Sequence, residues 1–248
     1  MHIYSDNFCD NARQNYKNDK WQVECAFKAF HNEFPGGDRF AIDVNCDGHL
    51  CFYIADATGH GHWAQQLWDQ CRQEFDSEWH NFLQTSFSSQ NLYEFCRKIN
   101  FILRKYKEKC DTQLCIAFAA LCGNELTFAN FGYGTHVLIQ QQGQTLWQPP
   151  SSQPSFGLKL GWFDEDIWKS SSRAFVCHTA KDVKRCILMT DSFLGDDFAN
   201  PQQTMLDISQ MNQQCLSLQF NEVVPYFLNT FAHDGDDMSL VVIENIQR

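Results

Sequence analysis

Long apolar runs are missing from this sequence of 248 residues, and so are the features of a secretory signal. No segment approaches the ~18 apolar residues that a membrane-spanning helix needs. The opening MHIYSDNFCDNARQNYK has neither a basic start nor an apolar middle. We therefore expect a cytoplasmic protein without a membrane partner.

Positive charge is also scarce. The chain has 19 Lys and Arg against 30 Asp and Glu, which gives a formal net charge of -11. A nucleic-acid partner is held largely by cationic side chains that replace the counterions of its phosphates. The charge balance therefore argues against nucleic-acid binding.

No pair of cysteines has the CxxC spacing, although the chain has 12 cysteines. They are scattered through apolar segments such as VECAF, LCFYI and LCIAF. Cysteines in such surroundings behave as small core residues. A structural zinc knuckle or a thioredoxin-type redox site therefore has little support.

Hydrophobic side chains are abundant. They make up 44% of the chain, and 22 residues are phenylalanine. A chain of this length and composition can build one sizeable core. We expect a polar N-terminal lead over residues 1–20, followed by a single domain over residues 21–248.

The first half of that domain is predicted to contain three strands and then two helices. Strands are expected at 21–30, 39–44 and 50–56, and Asp47-Gly48 is a hairpin signal between the last two. Apolar residues then recur every three or four positions from Trp63 to Phe82 and again over 91–107, which predicts two amphipathic helices. Trp68 lies off the first stripe and is expected to contact a partner.

The second half is predicted to return to strands. They are expected at 112–121, 126–132, 135–140, 173–178, 185–191 and 238–244, with a hairpin closing on Trp147, a Pro- and Ser-rich surface loop over 148–157, and helices at 205–219 and 221–232. Neighbouring strands are joined by hairpins and not by helical crossovers. The sheets should therefore be largely antiparallel, with helices packed on their outer faces.

Aspartates collect at the predicted ends of these strands. They are Asp38, Asp56, Asp191 and the pair Asp236 and Asp237. Carboxylates held close together repel one another unless a cation lies between them, and oxygen ligands suit Mg²⁺ or Mn²⁺. Arg39 is the one nearby cation that the sequence suggests. The alternative is that each aspartate is a turn residue, because Asp beside Gly is common in turns.

The segments that carry these aspartates occur in a recognisable order: PGGD, ADATGHG, CILMTDS and DDMSLVVIE. They resemble the motifs of the PPM, or type 2C, metal-dependent protein serine/threonine phosphatases, and in particular the bacterial SpoIIE-like group. The resemblance covers about residues 21–244. It implies an α+β fold, a four-layer αββα sandwich with two central antiparallel sheets flanked by helices.

The same resemblance implies a centre that binds two Mn²⁺ or Mg²⁺ ions. Its ligands would be Asp38, Asp56 bridging both ions, the backbone carbonyl of Ala57, Asp191 and Asp236, with Asp237 beside the last. Asp111 is a candidate for a third, weaker ion, although a turn leading into a strand explains it equally well.

The implied activity is hydrolysis of phosphoserine or phosphothreonine on a protein by a metal-activated water, in bacterial signalling. By analogy with the group, the substrate is a phosphorylated anti-sigma-factor antagonist. The alternative is a non-catalytic domain that binds a phosphoprotein or regulator.

Three residues depart from the family pattern: Ala41, Tyr133 and Ser192. Residues 161–168 occupy the region of the family's variable flap, and either a substrate-shaping flap or a solvated loop is consistent with their composition.

Overall fold

The computed structural model describes residues 2–4, 12–28, 36–59, 61–110, 113–132, 134–142, 146–147, 159–170, 175–193, 209–231 and 236–246. The strands are β1 (His2–Tyr4), β2 (Ala12–Lys17), β3 (Trp21–Lys28), β4 (Arg39–Val44), β5 (Leu50–Ala57), β6 (Leu114–Cys122), β7 (Glu125–Phe131), β8 (Thr135–Gln141), β9 (Leu146–Trp147), β10 (His178–Ala180), β11 (Val183–Thr190) and β12 (Met238–Asn245). The helices are α1 (Gly61–Leu83), α2 (Ser89–Cys110), α3 (Glu165–Ser170), α4 (209–215) and α5 (Phe220–Thr230), and a 3-10 turn covers Asp191–Phe193.

The described strands form two antiparallel sheets of six strands each. The first sheet has the order β1-β4-β5-β6-β7-β10, and the second has the order β2-β3-β12-β11-β8-β9. Hairpins join β4 to β5 and β6 to β7, where the chain reverses in turns at Gly48 and Gly123 that place each glycine at positive φ. The antiparallel pairing expected from the hairpin signals is confirmed.

Three apolar layers hold the sheets and helices together. The layer between the two sheets includes Phe40 and Ile54 of the first sheet and Val23 and Ile243 of the second. Side chains of α1 and α2 pack on the outer face of the first sheet, and those of α4 and α5 pack on the outer face of the second. The predicted four-layer αββα sandwich is therefore confirmed.

The two long helices follow the predicted apolar stripes. Leu67, Cys71, Phe75 and Trp79 of α1 are buried in the layer above the first sheet, and α2 contributes Leu92, Phe95, Cys96, Ile99 and Leu103. Among the described residues, no helix combines the length and the apolar composition that crossing a bilayer requires.

Three local expectations are wrong. The first strand was expected at Trp21, but β1 pairs with β4 and β2 pairs with β3, so residues of the polar lead extend both sheets. Of the strand expected at 173–178, residues 173–174 lie outside the described residues, and the described strand begins at His178, where pairing with β7 starts. Trp68 is not exposed for a partner, because it is 2% exposed in the core.

Candidate functional site

The β4–β5 hairpin places two of the predicted aspartates side by side. Arg39 pairs with Ala55, so the next positions outward, Asp38 and Asp56, face each other at the end of the ladder. On its other side Asp56 pairs with Cys115 of β6. The register therefore brings Asp38 and Asp56 together, as the hairpin interpretation predicted.

The second sheet brings Asp191 and Asp236 to the same place. The backbone N–H of Asp191 donates to the carbonyl of Gly134 at 3.0 Å, which ties the end of β11 to the turn before β8. Asp56, Asp191 and Asp236 line one cavity of about 280 Å³. The other lining residues are Thr58, Gly59, Cys115, Gly134 and Lys159.

Asp38 and Asp237 are buried, each with an exposed fraction of 2%. The Asp38 carboxylate accepts a hydrogen bond from the hydroxyl of Thr190 at 2.8 Å. The Asp237 carboxylate accepts one from the backbone N–H of Gly37 at 2.6 Å. Both aspartates are thus held by hydrogen bonds in the protein interior, whereas Asp56, Asp191 and Asp236 face the cavity.

Thr190 connects the two sheets at the site. Its hydroxyl donates to Asp38 of the first sheet and accepts from the backbone N–H of Ser239 in β12 at 2.9 Å. A hydroxyl can donate once and accept at the same time, so one side chain serves both contacts. Sequence reasoning missed this residue, although it directly precedes Asp191.

Burial and mutual repulsion disfavour the ionised form of these carboxyl groups. Burial, followed by the charges of Asp56 and Asp237, raises the pKa of Asp38 well above its usual range. Burial and the charges of Asp191 and Asp236 likewise raise the pKa of Asp56. Burial and the charge of Asp236 raise the pKa of Asp191 to about 7. The negative charge of these carboxylates therefore exceeds the positive charge near them.

Lys159 is the cation that sequence reasoning missed. It lines the cavity, and its ammonium group donates to the hydroxyl of Thr58 at 2.9 Å. Its charge favours the ionised form of two neighbours, because it lowers the pKa of Asp56 and that of Asp191 against the other influences. The sequence around it, GLKLG, contains nothing that places it beside the aspartates.

Arg39, the cation expected from the sequence, points elsewhere. Its guanidinium donates to the carbonyls of Gly36 and Asp38 at 3.2 and 2.7 Å, and it also donates to Gln65 of α1. It lies 5.7 Å from the ring centroid of Trp68. Arg39 therefore fixes the backbone beside Asp38.

Trp68 completes this arrangement from helix α1. Its indole N–H donates to the carbonyl of Gly37 at 2.6 Å. A Cβ on Gly37 would overlap the side chain of Ala64 and lie 3.3 Å from the carbonyl oxygen of Ala57, so only glycine allows α1 to approach the turn this closely. The carbonyl of Ala57 thus faces the same turn as Asp38.

Among the described residues, no group of three or more His, Cys, Asp or Glu side chains is close enough to hold a metal ion as the side chains stand. Asp56, Asp191 and Asp236 share a cavity without a closed coordination sphere. Asp111 and Tyr133 lie outside the described residues. Ala41 is a buried strand residue, and Ser192 is a buried residue of the 3-10 turn.

Comparison with known proteins decides the family. The model of the Stage II sporulation protein E family matches residues 46–245. The chain belongs to the SpoIIE family. The SpoIIE-like resemblance read from the aspartate motifs is therefore confirmed.

Solved structures show that other proteins share this fold. The fold is similar to that of RsbX in complex with magnesium, with a TM-score of 0.64 and 13% identity over 94% of this chain and 100% of that chain. It is also similar to a structure of the PP2C phosphatase domain and a regulatory fragment of SpoIIE from Bacillus subtilis, with a TM-score of 0.61 and 16% identity over 92% of this chain and 65% of that chain. A third similar structure is the S. agalactiae serine/threonine phosphatase, with a TM-score of 0.61 and 14% identity over 90% and 99% of the two chains. No curated protein matches the chain significantly.

Proposed function

We propose that this chain is a metal-dependent protein phosphatase that hydrolyses phosphoserine or phosphothreonine on a protein substrate. The observation that carries the proposal is the convergence of Asp56, Asp191 and Asp236 on one cavity in a chain of the SpoIIE family. Each of the three comes from the end of a different strand, or from the turn next to it.

The donor atoms of the cavity are of the kind that binds divalent cations. They are carboxylate oxygens, which Mg²⁺ and Mn²⁺ prefer. Burial and mutual repulsion raise the pKa values of Asp38, Asp56 and Asp191, and a bound cation would stabilise their ionised forms. Asp56, Asp191 and Asp236, with Asp38, Asp237 and the carbonyl of Ala57 behind them, would hold the ions.

Bound divalent ions would lower the pKa of a bound water and neutralise phosphoryl oxygens. The chain's own residues hold the carboxylates in place. The hydrogen bonds from Thr190 to Asp38 and from Gly37 to Asp237 fix those carboxylates, so little reorganisation remains for the binding step. No covalent enzyme intermediate is required, which agrees with a cavity whose one described thiol, Cys115, is buried and has a raised pKa of about 12.

Hydrolysis of a phosphoserine peptide with Mn²⁺ or Mg²⁺ tests the proposal. We expect turnover by the full chain, loss of turnover in EDTA, and a loss of at least about 100-fold in Asp56→Asn, because electrostatic stabilisation and orientation both fail. Asp182→Asn is the matched control. Asp182 lies in the β10–β11 turn with φ 54, a conformation that Asn tolerates, and it accepts from Asn124 at 2.9 Å.

The alternative is a domain that binds a phosphoprotein without hydrolysis. Phosphopeptide binding by the full chain, together with no release of phosphate at any Mn²⁺ or Mg²⁺ concentration, would establish that alternative.

The proposed substrate is a phosphorylated anti-sigma-factor antagonist or a protein like it. The variant Asp191→Asn, used as a trap, should retain such a phosphoprotein during purification, whereas Asp182→Asn should not.

A further inference from the structure

Lys159 brings a positive charge into the cavity of aspartates from a segment that belongs to neither sheet. The backbone around it is fixed on two sides. The N–H of Leu160 donates to the carbonyl of Leu114 at 3.1 Å, next to Cys115 of the cavity wall. The N–H of Gly161 donates at 2.9 Å to Asn100, a fully buried side chain of α2.

Among the described residues, the ammonium group of Lys159 forms no ion pair, and its hydrogen bond goes to the hydroxyl of Thr58 at 2.9 Å. An ammonium has three donors, so a bond to one hydroxyl leaves donors for another acceptor. Thr58 follows Asp56 by two positions, which places the ammonium beside the cavity wall that carries the aspartates.

We propose that Lys159 binds the phosphoryl group of the substrate. The inference rests on the proposed function, since it assigns a role within that active site. A phosphate monoester is a dianion, and a lysine ammonium binds phosphate as a point charge at the end of a flexible stem. The anchored backbone of residues 160–161 holds this charge at the cavity wall, where a phosphoryl oxygen can replace Thr58 as the acceptor.

A competing role would be that Lys159 serves only as a counter-charge for the aspartates. Both roles predict that Lys159→Met binds Mn²⁺ more tightly, by about tenfold, because a like charge has been removed from the site. They differ in the size of the change in phosphate affinity at saturating metal. A lysine that donates directly to a phosphoryl oxygen contributes a charge-assisted hydrogen bond in addition to its charge, so its removal lowers phosphate affinity more than the loss of a distant counter-charge does.

Titration of inorganic phosphate into the Mg²⁺-saturated full chain, followed by phosphorus NMR, tests the proposal without reference to turnover. We expect Lys159→Met to bind phosphate about tenfold or more weakly and Lys159→Arg to recover most of the affinity. Lys169→Met is the matched control, because Lys169 lies in the same segment, has a side chain 65% exposed, and pairs with Glu165. Steady-state kinetics on a phosphoserine peptide should show a higher KM for Lys159→Met.

Two outcomes separate this inference from the proposed function. If the wild-type chain hydrolyses phosphopeptide and Lys159→Met has wild-type phosphate affinity and KM, Lys159 does not bind the phosphoryl group and the phosphatase proposal stands. If the wild-type chain hydrolyses nothing and Lys159→Met alone loses phosphate affinity, the phosphatase proposal fails and the role of Lys159 stands.

Discussion

Gly134 leaves room for the carboxylate of Asp56. A Cβ at this position would overlap the Asp56 Oδ2 and would lie 3.0 Å from the Cβ of Cys115. Gly134→Ala should therefore displace the Asp56 carboxylate. A displacement of about 1 Å at a reacting centre costs on the order of 100-fold in rate. We expect a loss of that size in phosphopeptide hydrolysis and a weaker Mn²⁺ isotherm by calorimetry.

Gly123→Ala separates this effect from simple backbone strain. Gly123 has φ 60 in the β6–β7 turn, and a Cβ there would meet nothing within 4 Å. Alanine at such a φ costs about 1 to 2 kcal/mol in stability. Gly123→Ala should therefore lower the melting temperature without changing Mn²⁺ affinity. Equal Mn²⁺ affinity in Gly134→Ala and the wild type would show that Asp56 can move without consequence.

At the scale of elements, helix α2 holds the segment that carries Lys159. The side chain of Asn100 donates to the carbonyl of Phe163 at 2.7 Å and accepts from the N–H groups of Gly161 and Phe163 at 2.9 and 3.3 Å. One buried amide thus satisfies three backbone groups of a segment with little regular structure. Burial of Trp168 in α3 anchors the other end of that segment.

Asn100→Ala should release this segment. Three buried backbone groups would lose their partner, so we expect a loss of about 2 to 4 kcal/mol in the free energy of unfolding measured with urea. Amide exchange at residues 160–163 should become faster. Gln90→Ala, on the exposed first turn of the same helix, should change stability by less than about 0.5 kcal/mol. Unchanged exchange at 160–163 in Asn100→Ala would mean that the segment is held by other contacts.

Periodicity predicted those elements whose apolar residues repeat over several turns or alternations. The stripe from Leu67 to Phe82 and the strand around Phe118 are examples, because burial on one face dictates their pattern. The edge strand β2, with the sequence ARQNYK, has no such pattern. It pairs with β3 over its whole length, and the local sequence does not encode that pairing.

At the scale of the whole molecule, the site was predictable only where strand register determines it. The hairpin signal at Asp47-Gly48 was enough to bring Asp38 beside Asp56. The contribution of Lys159 depends on a loop that packs on β6 and on α2, elements that precede it by about 50 residues. Contacts of that kind follow from tertiary packing and leave no local pattern in the sequence.

The charge of the cavity also sets how the stability of the whole molecule depends on pH. Burial and the charge of Asp236 raise the pKa of Asp191 to about 7, above its value in the unfolded chain. Between these two pKa values the folded state binds more protons than the unfolded state, so stability falls as pH rises. The stabilisation by the protonated carboxyl is complete below about pH 4 and is lost above about pH 7.

Asp191→Asn should remove this dependence in a metal-free protein. In EDTA, the free energy of unfolding of the variant should rise by about 2 to 4 kcal/mol relative to that of the wild type as the pH goes from 5 to 8, measured by urea unfolding. Saturating Mn²⁺ should reverse the order at pH 8, because a bound cation stabilises the ionised carboxylate that Asn lacks. Asp182→Asn should follow the wild type under both conditions. If the free energy of unfolding in EDTA differs between the wild type and the variant by the same amount at both pH values, Asp191 ionises normally in the fold.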